Sequence, residues 1–378
     1  MSIFGIILFN LIDIIGRLIM VKEEYKTIAQ LEETRQKHHQ EKVAPGWEYR
    51  GIECGFLHNP GVILNTPVGR AIMPNLMHPF VYRGQNKEYD YFIPSIYRKP
   101  IHPDGFTDDL RLFYRELQLV EFCLFINFFP RVKKWREYGF YVWEECIAQH
   151  YGLYTSLLDI TNNFDVALFF ACCKYDNVNN SYRPLSAMDI IDNQYGVIYG
   201  KFFDLITPLG QIPYKPLGFQ PFMRPNNQRG FTVCLYNNKP ATAEELGFDW
   251  KIKFQHDIGY SKKIFDEFDG GEKIFVKKDV SKIENIINQI KDASKYSKAA
   301  FDEVYNQHSW DKNKEYYEFE LNKLGIEIGN KPYKITEEDI NNLDANWDFG
   351  SFLRECEVDQ LYEIKQEKEK ITILNYDF

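Results

Sequence analysis

The order of the apolar segments along the chain limits its fold more than any other feature of the sequence. Segments with apolar residues at helical spacing come first, at residues 110–129, 135–150 and 163–173. Segments rich in β-branched and aromatic residues follow, at 195–203, 230–236 and 251–256. Because helices and strands are grouped and do not alternate regularly, the pattern predicts an α+β fold.

Both ends of the chain are predicted to be largely helical. Residues 23–42 are polar and helix-prone, and Ala44-Pro45-Gly46 then breaks the pattern. A helical segment at 280–290 closes the central part, and the tail after it is mainly helical in character. We therefore expect an N-terminal segment at 1–45, a core at 46–290 and a C-terminal region at 291–378.

The first 20 residues are apolar but carry one polar edge. Asn10, Asp13 and Arg17 lie along a single stripe of a helix, so the segment is predicted to be amphipathic. Two charges near mid-membrane disfavour a spanning helix, and a signal peptide would have a basic start. We expect this helix to dock on the protein or on a second copy in a homo-oligomer. Contact with a membrane surface is the main alternative.

Charge and cysteine content exclude several classes of protein. Of the net charge of −9, residues 294–378 contribute −8, so the rest of the chain is nearly neutral and offers no broad basic surface for nucleic acid. The acidic tail is a solvated face or a partner-binding segment. Seven cysteines without CxxC spacing predict reduced thiols, a cytoplasmic protein and no metal site.

The first candidate site is Tyr82-Arg83-Gly84, at the end of a β-rich run. Arginine offers a rigid fork for phosphate or carboxylate, and glycine lets a ligand or a second backbone approach closely. The alternative is an arginine paired with a buried carboxylate. Arg98, after Pro94-Ser95, reads as a residue that ties down its own turn.

The second candidate site spans residues 149–173. His150 ends a predicted helix, and Thr155, Ser156 and Asp159 precede the next one. His150 and Asp159 are candidate catalytic groups, but a lone histidine is often only a hydrogen-bonding residue. Asp159 and Thr161 are equally suited to capping and bracing the following helix.

The third candidate site spans residues 221–233, where Arg224, Gln228 and Gly230 precede a strand. The neutral amide of Gln228 donates and accepts hydrogen bonds but cannot act as a general base. The common dinucleotide, P-loop, zinc-protease and serine-hydrolase motifs are absent from the sequence.

These three blocks, in this order, resemble the FRG domain family, named for its (Phe/Tyr)-Arg-Gly motif. The family's middle block matches QHYGLYTSLLDITNNFDVALFFA closely, and the resemblance covers about residues 46–290. Three positions depart from the family pattern: Tyr154 replaces Pro, Ser156 replaces Arg and Ile160 replaces Trp. Loss of that Arg puts a third guanidinium contact in doubt.

The same order also looks like the R-S-E plan of the ADP-ribosyltransferases, which implies a mixed β core with flanking helices. Carried over by position, Arg83 would anchor a phosphate of NAD, with Gly84, Gln85 and Arg98 beside it. Thr155 and Ser156 would brace the pocket. Gln228 would stand where a catalytic glutamate belongs, which implies weak turnover unless Asp159 supplies the missing charge.

The resemblance implies a protein that binds NAD or a related nucleotide. Weak ADP-ribosyl transfer or NAD cleavage, in a bacterial toxin or phage-defence setting with an unidentified macromolecular target, would follow from it. The competing hypothesis is a non-catalytic module that recognises a nucleotide, a peptide or a nucleic-acid end, with Gln228 in its support. A nuclease that uses His150 and Asp159 is a third hypothesis, and it lacks a carboxylate cluster of metal-binding spacing.

Overall fold

The structure is a computed structural model. It describes residues 21–41, 48–49, 52–53, 60–66, 69–73, 80–100, 105–176, 178–179, 181–202, 214–216, 218–228, 230–235, 240–276, 281–334, 336–356, 358, 360–367 and 370–376. The predicted amphipathic helix at 1–20 and the predicted break at 44–46 lie outside these residues.

The α-helices of the described residues are numbered in chain order. They are α1 (Ile28–Glu41), α2 (Asp108–Ile126), α3 (Pro130–Glu137), α4 (Glu144–His150), α5 (Phe164–Cys172), α6 (Ala187–Asp192), α7 (Met223–Asn227), α8 (Ile258–Glu267), α9 (Ser281–Lys291), α10 (Lys298–Gln307), α11 (Lys314–Lys323), α12 (Glu337–Leu343) and α13 (Phe349–Glu355).

The strands follow the same numbering. They are β1 (Lys22–Lys26), β2 (Glu48–Tyr49), β3 (Ile52–Glu53), β4 (Pro60–Thr66), β5 (Gly69–Met73), β6 (Phe80–Gln85), β7 (Leu157–Thr161), β8 (Cys173–Asp176), β9 (Ser181–Pro184), β10 (Tyr195–Phe202), β11 (Tyr214–Pro216), β12 (Gly230–Cys234), β13 (Trp250–Gln255), β14 (Lys295–Ser297), β15 (Glu327–Gly329), β16 (Gln360–Glu367) and β17 (Lys370–Tyr376).

The central sheet has seven strands in the order β1-β13-β10-β6-β7-β12-β11. The edge strand β1 is parallel to β13, and the other neighbours are antiparallel. This mixed sheet with helices around it confirms the predicted α+β class. The likeness to ADP-ribosyltransferases stays a prediction.

Each face of the central sheet is covered by a separate hydrophobic cluster. Tyr82, Ile198 and Ile252 face α5, which is almost entirely buried. Val81 and Val197 face the opposite cluster, which includes Phe92, Phe231 and Phe248. Because side chains alternate along a strand, Arg83 belongs to the same face as Val81. The Arg83 side chain therefore projects from the face away from α5.

A second sheet, in the order β17-β16-β4-β5, joins the last strands of the chain to strands near residue 60. Helices α10 and α11 pack against α2 within one hydrophobic cluster, where Phe113 stacks on Tyr317 at 4.4 Å between ring centroids. Arg131 and Asp344 form a buried ion pair at 2.6 Å across the same cluster. The chain after residue 291 thus combines four helices with the short strands β14 and β15, and β16 and β17 follow them.

Most of the periodic segments form the elements that the sequence predicts. Residues 110–129, 163–173 and 280–290 correspond to α2, α5 and α9, and the three β-rich segments correspond to β10, β12 and β13. The single helix predicted at 135–150 is wrong: α3 and α4 are separate, and Gly139 turns the chain between them with a φ of +80°. The helix-prone segment 23–42 holds β1 as well as α1. Among the described helices, none is both long enough and apolar enough to cross a membrane.

Candidate ligand-binding site

The candidate site lies where two neighbouring strands of the central sheet part. Strands β6 and β7 pair at Tyr82 and Thr161, and the structure gives no second pair between them within the described residues. Beyond this pair, Arg83 on β6 and Asp159 on β7 both line a cavity of about 570 Å³. The Tyr-Arg-Gly motif therefore lies where β6 and β7 separate, in the wall of this cavity.

The cavity collects residues from all three sequence blocks. Nine residues are assigned a catalytic or ligand-binding role from the sequence, and those that line the cavity are Arg83, Gly84, Gln85, Arg98, His150, Asp159 and Gln228. Thr155 and Ser156 are described and buried, and neither lines the cavity. The roles assigned to the seven lining residues stay predictions. The fold brings residues of the three sequence blocks to one cavity, without the hydroxyls of Thr155 and Ser156.

Arg83 is half-buried and has no carboxylate within ion-pair distance among the described residues. One of its terminal amino groups donates a hydrogen bond to the backbone carbonyl oxygen of Asp159, and its carbon Cζ lies 5.7 Å from the centre of the Phe92 ring. Its Nε is buried and makes no hydrogen bond. Burial lowers the pKa of Arg83, against the opposing charge of Asp159. The Arg83 guanidinium thus retains one buried hydrogen-bond donor, its Nε–H group, that no described residue accepts.

Gly84 is explained by packing against a helix. A Cβ atom at this position would lie 1.7 Å from the carbonyl oxygen of Ala167 in α5. Of the two interpretations open from the sequence, close approach of a second backbone accounts for this glycine. The next residue, Gln85, faces the cavity with a buried Oε1 that makes no hydrogen bond.

Arg98 reaches the cavity from a clamped turn. Its Nε donates to the carbonyl oxygen of Ile93 at 2.9 Å, which closes the turn as the sequence predicts. Arg115, on α2, donates to the carbonyl oxygens of Ile96 and Arg98 at 2.6 and 2.7 Å. The Arg115 guanidinium also lies 4.2 Å from the centre of the Tyr154 ring. Hydrogen bonds from Arg115 therefore fix the backbone that carries Arg98.

Thr155 acts on the cavity through a relay of two hydrogen bonds. Its hydroxyl donates to the side-chain oxygen of Gln149, and the Gln149 amide nitrogen donates to the carboxylate of Asp159. The Thr155 backbone nitrogen donates to the hydroxyl of Ser95 at 2.9 Å, in the turn that precedes Arg98. Thr155 thus braces the pocket wall, and Gln149 is a site residue to which the sequence analysis assigns no role.

Ser156 points away from the cavity toward α4. Its backbone nitrogen and its hydroxyl both donate to the carboxylate of Glu145, at 3.0 and 2.7 Å. These bonds fix the start of β7 on the helix that carries Gln149 and His150. Ser156 therefore supports the site from outside.

His150 is buried beside Asp159 and Gln228. Burial lowers its pKa, while the carboxylate of Asp159 and the amide of Gln228 act in the opposite direction. Its Nε2 is buried and makes no hydrogen bond. A neutral imidazole in the wall of a cavity can accept a proton or a hydrogen bond. The role of His150 as a base stays a prediction.

Gln228 is held at the cavity by its backbone carbonyl group, and its side-chain amide lies against His150. The Thr161 hydroxyl donates to the carbonyl oxygen of Gln228 at 2.7 Å, so Thr161 links β7 to the segment that carries Gln228. Arg224, one turn earlier, pairs with Glu284 of α9 and lies over the Tyr151 ring at 4.8 Å. Arg224 is thus a structural residue that anchors the segment before Gln228.

Aromatic side chains that belong to none of the three sequence blocks also line the cavity. Tyr89, Tyr91 and Tyr175 line it and are each 42–54% exposed. Tyr182 lies behind Tyr175, with 5.2 Å between ring centroids, and stacks on Phe275 at 5.1 Å. These rings come from loops and from β8 and β9, and only their common position marks them.

The described residues contain no group of three or more His, Cys, Asp or Glu side chains placed to hold a metal ion. A family model with the description FRG domain matches residues 78–180 of this chain. The match confirms the resemblance over the segment that carries Arg83, Arg98 and Asp159. No curated protein and no solved structure matches the chain.

Proposed function

Because residues 78–180 form an FRG domain, we propose that the cavity beside its Tyr-Arg-Gly motif binds an anionic nucleotide, with NAD as the first candidate. The main supporting observation is that Arg83 is half-buried and has no ion-pair partner among the described residues. A half-buried charge without such a partner is costly, because the lost hydration is not replaced. A phosphate in the cavity would supply the missing anion and accept the free Nε–H of this arginine.

The shape and lining of the cavity support a ligand that carries a ring. A volume of about 570 Å³ lies within the range of roughly 300–1,000 Å³ that is usual for small-molecule sites. Exposed tyrosine rings at its wall offer faces for a nucleobase, at roughly 1–3 kcal/mol for each stacked base. Tyr89, Tyr91 and Tyr175 are the candidates.

Asp159 is the group best placed to assist cleavage of bound NAD. In that reaction the bond between the nicotinamide nitrogen and ribose C1′ breaks, and its electron pair leaves with nicotinamide. A new C–O bond forms to water or to a hydroxyl of an acceptor, whose proton passes to Asp159 or to solvent. A carboxylate stabilises the cationic character of the sugar by its charge, whereas the amide of Gln228 supplies only a dipole.

The second candidate function is binding without turnover. It is favoured by the hydrogen bond that Gln149 donates to the Asp159 carboxylate, because that bond uses part of the charge that a reaction would need. The neutral Gln228 acts in the same direction. In this case the FRG domain recognises a nucleotide, alone or at the end of a larger molecule.

Incubation of the purified protein with NAD, followed by mass spectrometry, separates the two candidates. Nicotinamide that accumulates with wild type and not with Asp159→Asn supports the enzyme. Binding of NAD or ADP-ribose in thermal-shift assays without any nicotinamide supports the recognition module. If NAD, ADP-ribose and nicotinamide all fail to bind, the nucleotide proposal is wrong.

A further inference from the structure

We infer that the cavity takes a pyrophosphate-linked nucleotide, with one phosphate at Arg83 and the other at Arg98. This inference rests on the proposed function and adds the part of the ligand that sets specificity. It makes Arg98 a binding residue in addition to its role in the turn.

The two arginines differ from most others in the described chain. Both line the same cavity, and neither has an Asp or Glu within ion-pair distance among the described residues. Six other arginines each have such a partner: Arg35, Arg111, Arg131, Arg136, Arg183 and Arg224. Of the eleven described arginines, six thus have a carboxylate partner. Among the other five, Arg83 and Arg98 are the two that line this cavity.

The depths of the two guanidinium groups differ. Arg83 is half-buried at the end of β6, whereas Arg98 is exposed on the turn after Ser95–Tyr97. A ligand that reaches both needs negative charge at an inner and an outer position. Two phosphates joined by one bridging oxygen meet this requirement, whereas a single phosphate at the inner position leaves Arg98 without an anion.

The turn that carries Arg98 is already fixed by hydrogen bonds, which favours contact of its guanidinium with a phosphate. Its Nε is used within the turn, and its two terminal amino groups make no hydrogen bond to the described residues. The carbonyl oxygens of Ser95, Ile96 and Arg98 all accept hydrogen bonds from Arg115, so little ordering remains for binding. A guanidinium whose turn is already fixed binds a phosphate with less loss of entropy than one on a free loop.

The electrostatics of the cavity agree with a dianionic group. Arg98 and Arg83 carry like charges around one space, and like charges disfavour each other. The only carboxylate among the described lining residues is that of Asp159, and it accepts a hydrogen bond from Gln149. One acidic side chain therefore faces two cations, and the cavity retains an excess of positive charge.

Calorimetric titration of AMP, ADP and ADP-ribose tests the inference. The protein variants are wild type, Arg98→Gln and Lys99→Gln. Lys99 is a matched control, because it is the next residue and also cationic but binds Asp108 at 2.7 Å and does not line the cavity. Thermal melts of each variant show that the fold is retained.

We expect wild type to bind ADP and ADP-ribose more tightly than AMP. Arg98→Gln should raise the Kd of ADP and ADP-ribose by about 10- to 100-fold, the effect of one lost charge-assisted hydrogen bond. It should change the Kd of AMP by less than about threefold, and Lys99→Gln should change every Kd by less than about threefold, as expected for a distant surface charge.

Two results would overturn the inference and leave the proposed function standing. One is equal binding of AMP and ADP by wild type, and the other is an equal loss of AMP and ADP affinity in Arg98→Gln. If wild type binds none of the three nucleotides and no NAD, the proposed function itself fails, and the inference fails with it.

Discussion

The guanidinium of Arg83 donates a hydrogen bond to the backbone carbonyl oxygen of Asp159, across the point where β6 and β7 part. The side chain of Asp159 takes no part in this bond and turns instead to Gln149. The backbone carbonyl of Asp159 thus binds Arg83, whereas its carboxylate binds Gln149. The charge of Asp159 can therefore be removed by substitution while the tether on Arg83 remains.

Substitution of Asp159 by Asn should separate binding from reaction. Loss of a negative charge near Arg83 should tighten the binding of ADP-ribose, by about 2- to 10-fold on a Coulombic argument. Any release of nicotinamide from NAD should fall by about 10²- to 10³-fold, as for the loss of one electrostatic contact to a transition state. Calorimetry and mass spectrometry measure the two effects. Asp192→Asn, at an exposed aspartate outside the cavity, is the control; unchanged turnover in Asp159→Asn would contradict the assigned role.

Substitution of Gly84 by Ala should destabilise the fold rather than affect ligand contacts alone. The added Cβ would meet the carbonyl oxygen of Ala167 at 1.7 Å, and β6 and α5 would have to separate. We expect a loss of about 3 kcal/mol or more, near the upper end for overpacked positions. Gly329→Ala is the matched control, since no atom lies within 4 Å of its added Cβ. Equal melting temperatures for the two variants would show that the close approach is not present.

The sequence predicts the helices and strands that local residue patterns determine. It does not predict the elements that form only by pairing or packing with segments far away in the chain. Helix α5 follows from apolar spacing, and strand β10 follows from its β-branched and aromatic residues. Strands β16 and β17 do not, because β16 pairs with β4, about 300 residues earlier in the chain. The break between α3 and α4 depends on the conformation of one residue, Gly139, which apolar spacing does not show.

The candidate site divides in the same way. Arg83, Asp159 and Gln228 are marked by motifs, and the fold brings them to one cavity. Tyr89 and Tyr175 carry no motif, and their place in the wall depends on how loops and short strands pack. Ser156 lies within a motif but faces Glu145, because the strand alternation and the position of α4 decide its direction.

Removal of the Asp344 carboxylate should weaken the attachment of the C-terminal helices. This side chain is fully buried and accepts hydrogen bonds from the backbone nitrogen and from Nε of Arg131, at 2.8 and 2.6 Å. Asp344→Asn removes the negative charge from this buried ion pair, at an expected loss of about 3–5 kcal/mol in the free energy of unfolding. The exposed pair Lys323 and Glu320 is the control, where Lys323→Gln should change stability by less than about 1 kcal/mol. A melting temperature unchanged by Asp344→Asn would contradict the packing described for this interface.

His150 should make the protein less stable in mild acid. Burial lowers the pKa of His150 below its ordinary 6.5, so the unfolded chain binds the proton first as the pH falls. Stability from the neutral imidazole is present above about pH 6.5 and is lost as the pH falls toward the pKa in the folded protein. Glu116 acts in the opposite direction, because burial and the nearby Glu145 raise its pKa to about 7. The measurement is therefore the difference in melting temperature between wild type and His150→Gln, from pH 7.5 to 5.5. The difference should shift against wild type in acid, and a constant difference would show that His150 is not buried in its neutral form.

Calorimetric titration of ADP-ribose into wild type and Arg83→Gln tests the central claim most directly, with Arg136→Gln as an exposed control that is paired with Glu144 outside the cavity. We expect saturable binding to wild type and to Arg136→Gln. Arg83→Gln, folded by its melting curve, should bind at least about 10-fold more weakly. Binding of ADP-ribose by Arg83→Gln with the affinity of wild type would show that Arg83 does not hold the ligand.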